Sequence, residues 1–263
     1  LHRDRLEEGR VMSLLKTILN IAVPPPDIES FDRFLFIGPH PDDIEIGAGA
    51  TAAHLAAMGK SLCFLICTDG RYGGVCGGKE LAGLRKTEAR RSAELLGVSD
   101  VRFLGLCDGG FYEQKELEAG IAGVIGDFRP QVIFAPDPRV SSECHADHLN
   151  VGNAAMRLAY FAPYGDIMAN YGASAAPVEA VALYMTAAPN RFVGTRGCLK
   201  KQLSAIFDCH LSQFSENEES VRSISLYLRL RARAFGLRSF KGSAEGFRVL
   251  GITQMHCFPE AGS

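Results

Sequence analysis

Two short groups of residues in this chain carry side chains that could do chemistry. The first, His40-Pro41-Asp42-Asp43, places one imidazole and two adjacent carboxylates directly after an apolar run. The second, His145-Ala146-Asp147-His148, places two imidazoles three residues apart. Side chains with that spacing share one side of a first helical turn. Together with His40 and Asp43, the second group assembles two histidines and a carboxylate around one point, as a metal site requires.

This donor set favours zinc chemistry. Three protein ligands with a vacant fourth position are typical of a catalytic zinc site, whereas structural zinc sites use four protein ligands. Bound zinc lowers the pKa of its water to about 7, which provides hydroxide at neutral pH. A base must still accept a proton as the water attacks, and Asp42 lies next to the candidate ligand Asp43. The two groups therefore predict a zinc-dependent hydrolase.

Each group has a simpler interpretation when it is taken alone. A single histidine after a strand is more often a hydrogen-bonded structural residue. A pair of aspartates before a helix is commonly an N-cap followed by an acidic residue that the helix dipole favours. The set of two histidines and one carboxylate also suits non-haem iron oxygenation. The occurrence of both groups after strands of one sheet is what favours the metal site.

The elements that must position these groups alternate between strand and helix. Strands are predicted at residues 33–37, 61–68, 101–106 and 131–135, and helices at 47–59, 80–96 and 115–128. The second strand is apolar on both faces, as expected for a parallel sheet that helices cover. The alternation predicts an α/β fold with a Rossmann-like, doubly wound and mostly parallel sheet flanked by helices.

The polar residues that follow the predicted strands are expected at one edge of this sheet. His40, Asp69, Asp108 and Asp137 each come just after a strand. Ligands of doubly wound sheets bind beyond the carboxyl ends of the strands. We therefore expect the chemistry at that edge.

The chain is predicted to form a single domain, residues 1–263. Its Rossmann-like core spans residues 30–160 and carries the metal site. The pattern loosens in residues 161–263, where a strand at 178–185 and long helices spanning roughly 197–240 predict a C-terminal extension that caps the sheet. A packing helix is expected over residues 5–20.

Composition narrows the function classes. The chain has 263 residues, 47% of them hydrophobic, which allows a substantial core. Its 28 basic and 30 acidic side chains give a formal charge of −2, so no overall field attracts nucleic acid or an anionic membrane. No apolar stretch approaches the roughly 18 residues of a membrane span. The charged N-terminus without a secretory signal, and eight cysteines without a C-x-x-C pair, predict a cytoplasmic protein with a small-molecule partner.

Two further signals are set aside. Gly47-Ala48-Gly49 opens a helix after a strand, but Ala52 occupies the third glycine position of the dinucleotide-binding pattern. A basic cluster on a predicted helix is interpreted as a solvated face or a subunit contact rather than a nucleic-acid site. This cluster consists of Arg229, Arg231, Arg233, Arg238 and Lys241.

The two groups resemble the LmbE-like, or PIG-L, family of zinc-dependent de-N-acetylases. Pro39-His40-Pro41-Asp42-Asp43 is followed by a His-x-Asp-His element at 145–148, in which Ala146 replaces the usual proline. Other matching segments are Cys67-Thr68-Asp69-Gly70, Arg85-Lys86-Thr87-Glu88-Ala89, Phe134-Ala135-Pro136-Asp137-Pro138, Ala182-Leu183-Tyr184 and His210-Leu211-Ser212-Gln213-Phe214. Within the family, the pattern is most similar to deacetylases of diacetylchitobiose, which act on N-acetylglucosamine units.

The resemblance implies roles for the residues of both groups. The implied zinc ligands are His40, Asp43 and His148. Asp42 is the implied general base. His145 steadies the oxyanion and protonates the leaving amine, and Asp147 orients His145, because a carboxylate partner fixes the tautomer of an imidazole.

The resemblance also implies contacts with substrate. Arg85 and Asp108 fall where family members hold sugar hydroxyls, although a helix pair with Glu88 and a turn before two glycines would also account for them. Arg71 stands where many members carry glutamate and is a further candidate. His256 corresponds to a histidine that approaches the active site of a neighbouring subunit. The resemblance thus implies a homo-oligomer, a trimer or a hexamer.

The expected function is zinc-dependent removal of the N-acetyl group from a small saccharide or conjugate that contains N-acetylglucosamine, with release of acetate. An amidase that acts on a glucosaminyl thiol or malate conjugate would use the same chemistry. From other classes, a non-haem iron enzyme and a non-catalytic sugar-binding module on the same fold stay open.

Overall fold

The computed structural model describes residues 18–19, 21–74 and 77–257. The strands are β1 (Arg33–Gly38), β2 (Ser61–Thr68), β3 (Asp100–Leu106), β4 (Val132–Pro136), β5 (Ala180–Tyr184), β6 (Arg191–Gly194) and β7 (Ala244–Gly251). The α-helices are α1 (Asp43–Ala57), α2 (Lys79–Leu96), α3 (Gln114–Phe128), α4 (Ala146–Phe161), α5 (Gly165–Ala169), α6 (Leu199–Phe207), α7 (Leu211–Phe214), α8 (Glu218–Ser239) and α9 (Ile252–His256). The helix expected over residues 5–20 lies almost entirely outside the described residues.

Seven strands of the described chain form one sheet in the order β3-β2-β1-β4-β5-β7-β6. The strands from β3 to β5 are parallel, whereas β7 runs antiparallel to both β5 and β6. The order reverses at β1, because β2 lies on one side of it and β4 on the other. In doubly wound sheets, ligands bind at the carboxyl ends of the strands where the order reverses. The predicted α/β fold is confirmed.

Both faces of the sheet are covered. Phe34 and Phe36 of β1 pack into one apolar cluster with α1 and α2, whereas Leu35 and Ile37 pack into a second cluster with α3 and α4. Successive side chains of a strand point to opposite faces, so both sets must be apolar. The run of apolar residues before His40 is therefore continuous because helices cover β1 on both faces of the sheet.

The bounds of the elements depart from prediction mainly around glycine. β2 has the expected bounds, and α2 ends as expected at Gly97, which adopts the left-handed C-cap conformation. By contrast, α1 begins at Asp43, ahead of Gly47. A Cβ atom at Gly47 would lie 2.2 Å from the ring of Tyr184. That glycine is therefore a packing residue inside the helix and not its start.

The C-terminal part of the chain does more than cap the sheet. It contributes β5, β6 and β7, and the helical region expected over 197–240 consists of α6, α7 and α8. No helix of the described residues is long and apolar enough to cross a membrane. The cysteines that the structure describes are free thiols.

Candidate active site

The turn that follows β1 is fixed by residues at the ends of β2 and β5. The backbone N–H and the hydroxyl of Thr68 donate to the carbonyl of Pro39 at 2.9 and 2.8 Å. On the other side, the hydroxyl of Tyr184 donates to the carbonyl of Ile37 at 2.8 Å. These bonds hold the backbone that leads into His40 at the point where the strand order reverses.

Asp42 occupies the N-cap position of α1 but does not cap the helix. Its side chain makes no capping hydrogen bond, and its Oδ1 lies 3.2 Å from Nη2 of Arg85. Arg85 is 3% exposed and also donates to the carbonyl of Gly70 at 3.0 Å. The interpretation of Asp42 as an ordinary helix cap therefore does not hold, and its carboxylate lies at the wall of an open cleft.

His40, Asp43 and His148 form one buried to half-buried cluster. Oδ2 of Asp43 accepts from the backbone N–H of His40 at 2.8 Å and lies 2.9 Å from Nδ1 of the same histidine. Oδ1 of Asp43 lies 3.3 Å from Nε2 of His148. The structure thus brings together the two separate sequence groups, one from the end of β1 and one from the start of α4.

Asp147 is fully buried beneath this cluster. Its two carboxylate oxygens accept backbone N–H bonds from Gly109 at 2.7 Å and Gly110 at 2.9 Å. Oδ2 also lies 3.0 Å from Nε2 of His40, but 3.7 Å from Nδ1 of His145. The carboxylate of Asp147 is therefore closer to His40 than to the histidine that it was expected to orient.

His145 is instead held through the backbone. It is the N-cap of α4, and its Nδ1 accepts from the backbone N–H of Asp147 at 3.3 Å. In a neutral ring, an accepting Nδ1 means that Nε2 carries the proton. With its side chain 47% exposed, His145 lines the cleft as a hydrogen-bond donor.

At His40 and His148, burial and the neighbouring carboxylates shift the pKa in opposite directions. Burial lowers the pKa of His40, but the charge of Asp43 and hydrogen bonds to Asp147 and Asp43 outweigh it and raise that pKa to about 10. Burial likewise opposes protonation of His148, yet its bond to Asp43 raises its pKa. The field of the surrounding carboxylates thus favours positive charge in the cluster.

The pKa values of two carboxylates in the site shift in opposite directions. Burial raises the pKa of Asp42 above its ordinary value, and the positive charge of Arg85 opposes that rise only in part. For Asp147, burial acts in the same direction, but the hydrogen bonds from His40 and Gly109 outweigh it and lower the pKa to about 2. Asp42 is thus suited to accept a proton, whereas Asp147 stays ionised.

A cleft of about 310 Å³ opens beside the cluster, where His40, Asp42 and His145 line it. Two of the residues expected to contact substrate, Arg85 and Asp108, line this cleft. Arg71 is not among the lining residues, because its guanidinium pairs with Asp69, with Nε 2.8 Å from Oδ2. His256 lies on α9, where its ring packs against Tyr160 of α4 with centroids 5.4 Å apart. The structure therefore brings two of these four candidates to the cleft.

Three other residues of the site were not found from the sequence. Glu143 accepts from the backbone N–H of His145 at 2.8 Å and lies 2.9 Å from Nδ1 of His148. Tyr72 and Gln213 line the cleft. Glu143 could have been found from its position just before the histidine pair. Gln213 lies far along the chain, and only its place in a matching segment pointed to it.

The donor set of the cluster fits a divalent cation that takes nitrogen and oxygen ligands. Ring nitrogens of His40 and His148 and a carboxylate oxygen of Asp43 lie within 4.8 Å of one another. Because Glu143 accepts from Nδ1 of His148, a neutral ring would leave Nε2 free to bind the ion. A second trio, in which His145 and Asp147 join His40, is equally close, but both oxygens of that aspartate already accept backbone bonds.

The fold and the cluster define an α/β protein whose histidine and aspartate donor atoms are close enough to hold a metal ion, at the point where the strand order of a doubly wound sheet reverses. A family model described as GlcNAc-PI de-N-acetylase, PIG-L, matches residues 35–159. The chain is also 34% identical to the diacetylchitobiose deacetylase of Thermococcus kodakarensis, over 98% of this chain and 97% of that relative. The chain belongs to the PIG-L, or LmbE-like, family, as the sequence motifs indicated.

Two further comparisons agree with this assignment. The N,N'-diacetylchitobiose deacetylase of Pyrococcus horikoshii superposes with a TM-score of 0.74 at 28% identity, covering 94% of this chain and 95% of the other. A 1D-myo-inositol 2-acetamido-2-deoxy-alpha-D-glucopyranoside deacetylase of Kineococcus radiotolerans is 32% identical over 60% of this chain and 53% of that relative. All the proteins named here are deacetylases.

Proposed function

We propose that this protein is a zinc-dependent deacetylase that removes the N-acetyl group from an N-acetylglucosamine unit of a small saccharide or conjugate. The observation that carries the proposal is the position of Asp42, a carboxylate without a capping role beside the His40, Asp43 and His148 cluster at an open cleft. The names of the relatives support the same reaction on an acetylated amino sugar.

The ligands that we propose for the metal are His40, Asp43 and His148. Zinc bound there would polarise the acetamide carbonyl and lower the pKa of a coordinated water. Asp147 would keep the imidazole of His40 in place, and Glu143 would do the same for His148, since outer carboxylates fix the ring orientation of metal-binding histidines.

Asp42 is the proposed general base. The oxygen of the water forms a bond to the acetamide carbon while Asp42 accepts a proton from that water. When the carbon–nitrogen bond breaks, Asp42 passes this proton to the nitrogen, which leaves as the amine, so that Asp42 takes the role that the resemblance implied for His145. The acetyl group leaves as acetic acid, which gives up the second proton of the water to the amine or to solvent and becomes acetate. The raised pKa of Asp42 suits both transfers, because a base works best with a pKa near the working pH.

His145 is the proposed donor to the oxygen that becomes negative during attack. Burial, and then the charge of His40, lower the pKa of His145, which favours the neutral form of its ring. Its Nε2–H is then available to the developing oxyanion without a proton having to be taken up first. Arg85 and Asp108 supply polar groups at the cleft wall for sugar hydroxyls.

The experiment that tests this function is a screen for acetate release. The substrates are N-acetylglucosamine, diacetylchitobiose and an acetylated glucosaminyl malate conjugate, each with zinc-loaded and with chelated protein. We expect release from at least one of them, loss of release on chelation and recovery with zinc. Release from none, or a requirement for dioxygen, would contradict the proposal. The predicted homo-oligomer and the role of His256 in a neighbouring site stay predictions.

A further inference from the structure

A groove lies along α8, apart from the catalytic cleft. This arginine groove has a volume of about 410 Å³ and is formed by α8 and the segment that follows β5. Its walls include Thr186, Pro189, Phe235 and two arginines, Arg231 and Arg238. None of its lining residues lines the cleft. The volume of the groove is in the range of small-molecule sites.

The inner side of the groove is apolar and closely packed. A Cβ atom on Gly246 of β7 would lie 2.9 Å from the ring of Phe235 and 3.0 Å from Pro189. The ring and the proline therefore pack directly against the strand because residue 246 has no side chain. The ring of Phe235 also lies beside that of Phe192, with centroids 5.4 Å apart. This packing gives the groove a fixed apolar floor, on which an apolar part of a ligand can lie.

Two guanidinium groups border this floor. Cζ of Arg231 lies 4.9 Å from the centre of the Phe235 ring, and its Nη2 donates to the carbonyl of Thr186 at 2.8 Å. Cζ of Arg238 lies 5.1 Å from the centre of the Phe192 ring. The two arginines are seven residues apart, which places them two turns apart on the same side of α8. Aromatic rings thus hold both charges at one groove.

No acidic residue balances this positive charge. No aspartate or glutamate lines the groove, and neither arginine forms an ion pair within the part of the chain that the structure describes. By contrast, the buried guanidiniums of Arg85 and Arg248 each pair with an aspartate. The arginine groove therefore lacks the counter-charge that these two arginines have.

The chemistry of the groove favours a phosphate. A guanidinium binds phosphate through two parallel hydrogen bonds, and stacking on a ring fixes its plane beforehand. A phosphate monoester carries about two negative charges near neutral pH, so one group balances both arginines, whereas a carboxylate balances one. The apolar floor suits an organic ligand better than the bare ion.

We propose that the arginine groove binds a small soluble organic phosphate, with its phosphate at the guanidiniums and an apolar ring on the floor. This inference goes beyond the proposed function and does not depend on it, because the groove and the cleft share no residue. Arg231 and Arg238 then form a ligand site, in place of the solvated face or subunit contact that the sequence indicated.

Isothermal titration calorimetry with phenyl phosphate tests the inference, with inorganic phosphate as the second probe. Arg238→Gln removes one of the two charges. Arg233→Gln is the matched control, because Arg233 is exposed on the same helix and does not line the groove. We expect Arg238→Gln to raise the dissociation constant of phenyl phosphate about 10-fold, and Arg233→Gln to change it by less than about twofold. Equal midpoints of thermal denaturation show that both variants fold.

A phosphate could also bind to zinc, so each titration is repeated with chelated protein. Binding in the groove should persist after chelation, and phenyl phosphate should bind about 10-fold more tightly than inorganic phosphate. Binding that chelation abolishes, equal binding of the two probes, or equal dissociation constants in the two variants would each contradict the inference.

Two other occupants of the groove would also overturn it. If a second copy of the chain covers the groove, phenyl phosphate will not bind, and Arg238→Gln will change the sedimentation coefficient of the protein. If the groove binds a lipid phosphate, the protein will sediment with vesicles that carry phosphatidic acid and will not bind phenyl phosphate.

Discussion

Buried and half-buried carboxylates occur in two regions of this protein, and their surroundings differ. In the site, Asp42 lines the cleft, and Asp43 and Asp147 contact the imidazole of His40. Around β7, Asp137 pairs with Arg248 and Glu245 accepts backbone N–H bonds from α1. Both regions have shifted pKa values. A shifted pKa therefore does not by itself mark the active site, and what separates the two regions is contact with the histidines or with the cleft.

The largest expected effect is on Asp42. Asp42→Asn removes the base but keeps the size of the side chain and the donor set, so kcat should fall by about 10³-fold with metal content unchanged. Acetate release and metal analysis on the same sample measure both quantities. Asp69→Asn is the matched control, because Asp69 also follows a strand at this edge but lies outside the cleft lining. Equal losses of kcat in the two variants would show that Asp42 has no role that Asp69 lacks.

Substitution of Asp137 should lower the stability of the protein and leave its activity nearly unchanged, in contrast to substitution of Asp42. Its carboxylate accepts from Nε of Arg248 at 2.9 Å, with both side chains 3% exposed. Asp137→Asn removes a buried carboxylate charge from its ion pair with the guanidinium of Arg248, so the free energy of unfolding should fall by about 3 kcal/mol. Urea denaturation measures this loss, and activity per folded molecule should stay within about twofold. A stable but inactive variant would assign Asp137 to the site.

Asp147 is intermediate, because it is buried like the β7 group but contacts an imidazole of the site. Asp147→Asn replaces one oxygen that accepts from Gly109 or Gly110 by an amide group that cannot accept. The imidazole of His40 then loses its fixed orientation, and zinc affinity should fall by about 10- to 100-fold. Competition with a fluorescent chelator measures the affinity. An unchanged affinity would show that Asp147 is dispensable for the metal site.

The smallest effect is a pH dependence of stability from Glu245. Burial raises the pKa of Glu245 to about 7, against hydrogen bonds from Thr51, Ala50 and Gln202 that favour the ionised form. The folded state thus holds the proton more tightly than the unfolded state, and stability from this group falls as pH rises from about 4.5 to about 7. The stability of the unchanged protein relative to Glu245→Gln should fall by about 1 kcal/mol between pH 6 and pH 8. A difference in stability between the two proteins that does not change with pH would show that the pKa of Glu245 is not raised.

The parallel strands and the region around β7 also differ in how far the sequence could predict them. The elements of the parallel half follow from apolar runs and glycine signals that are local, as at β2 and at Gly97. β6 and β7 were not predicted. β7 carries the charged residues Glu245 and Arg248. Burial of a charged side chain can be predicted only when its partner is known, and the partners here are α1 and Asp137.

The candidate site shows a similar division. The two histidine groups were expected to meet because both follow strands of one sheet, and the structure places them together. The orientation of Asp147 toward His40 could not be predicted, since it depends on two backbone N–H groups of a distant loop. The pairing of Tyr72 with Gln213 in the cleft lining could not be predicted either, because the two residues are far apart in the sequence and meet only in the fold.

The central claim is that water, activated beside Asp42, cleaves the acetamide of a sugar. Its most direct test is the reaction of the zinc-loaded protein with diacetylchitobiose in ¹⁸O-labelled water without dioxygen, followed by mass spectrometry of both products. Hydrolysis places one labelled oxygen in acetate and none in the amino sugar. Acetate that carries no label, or a reaction that stops without dioxygen, would contradict the account.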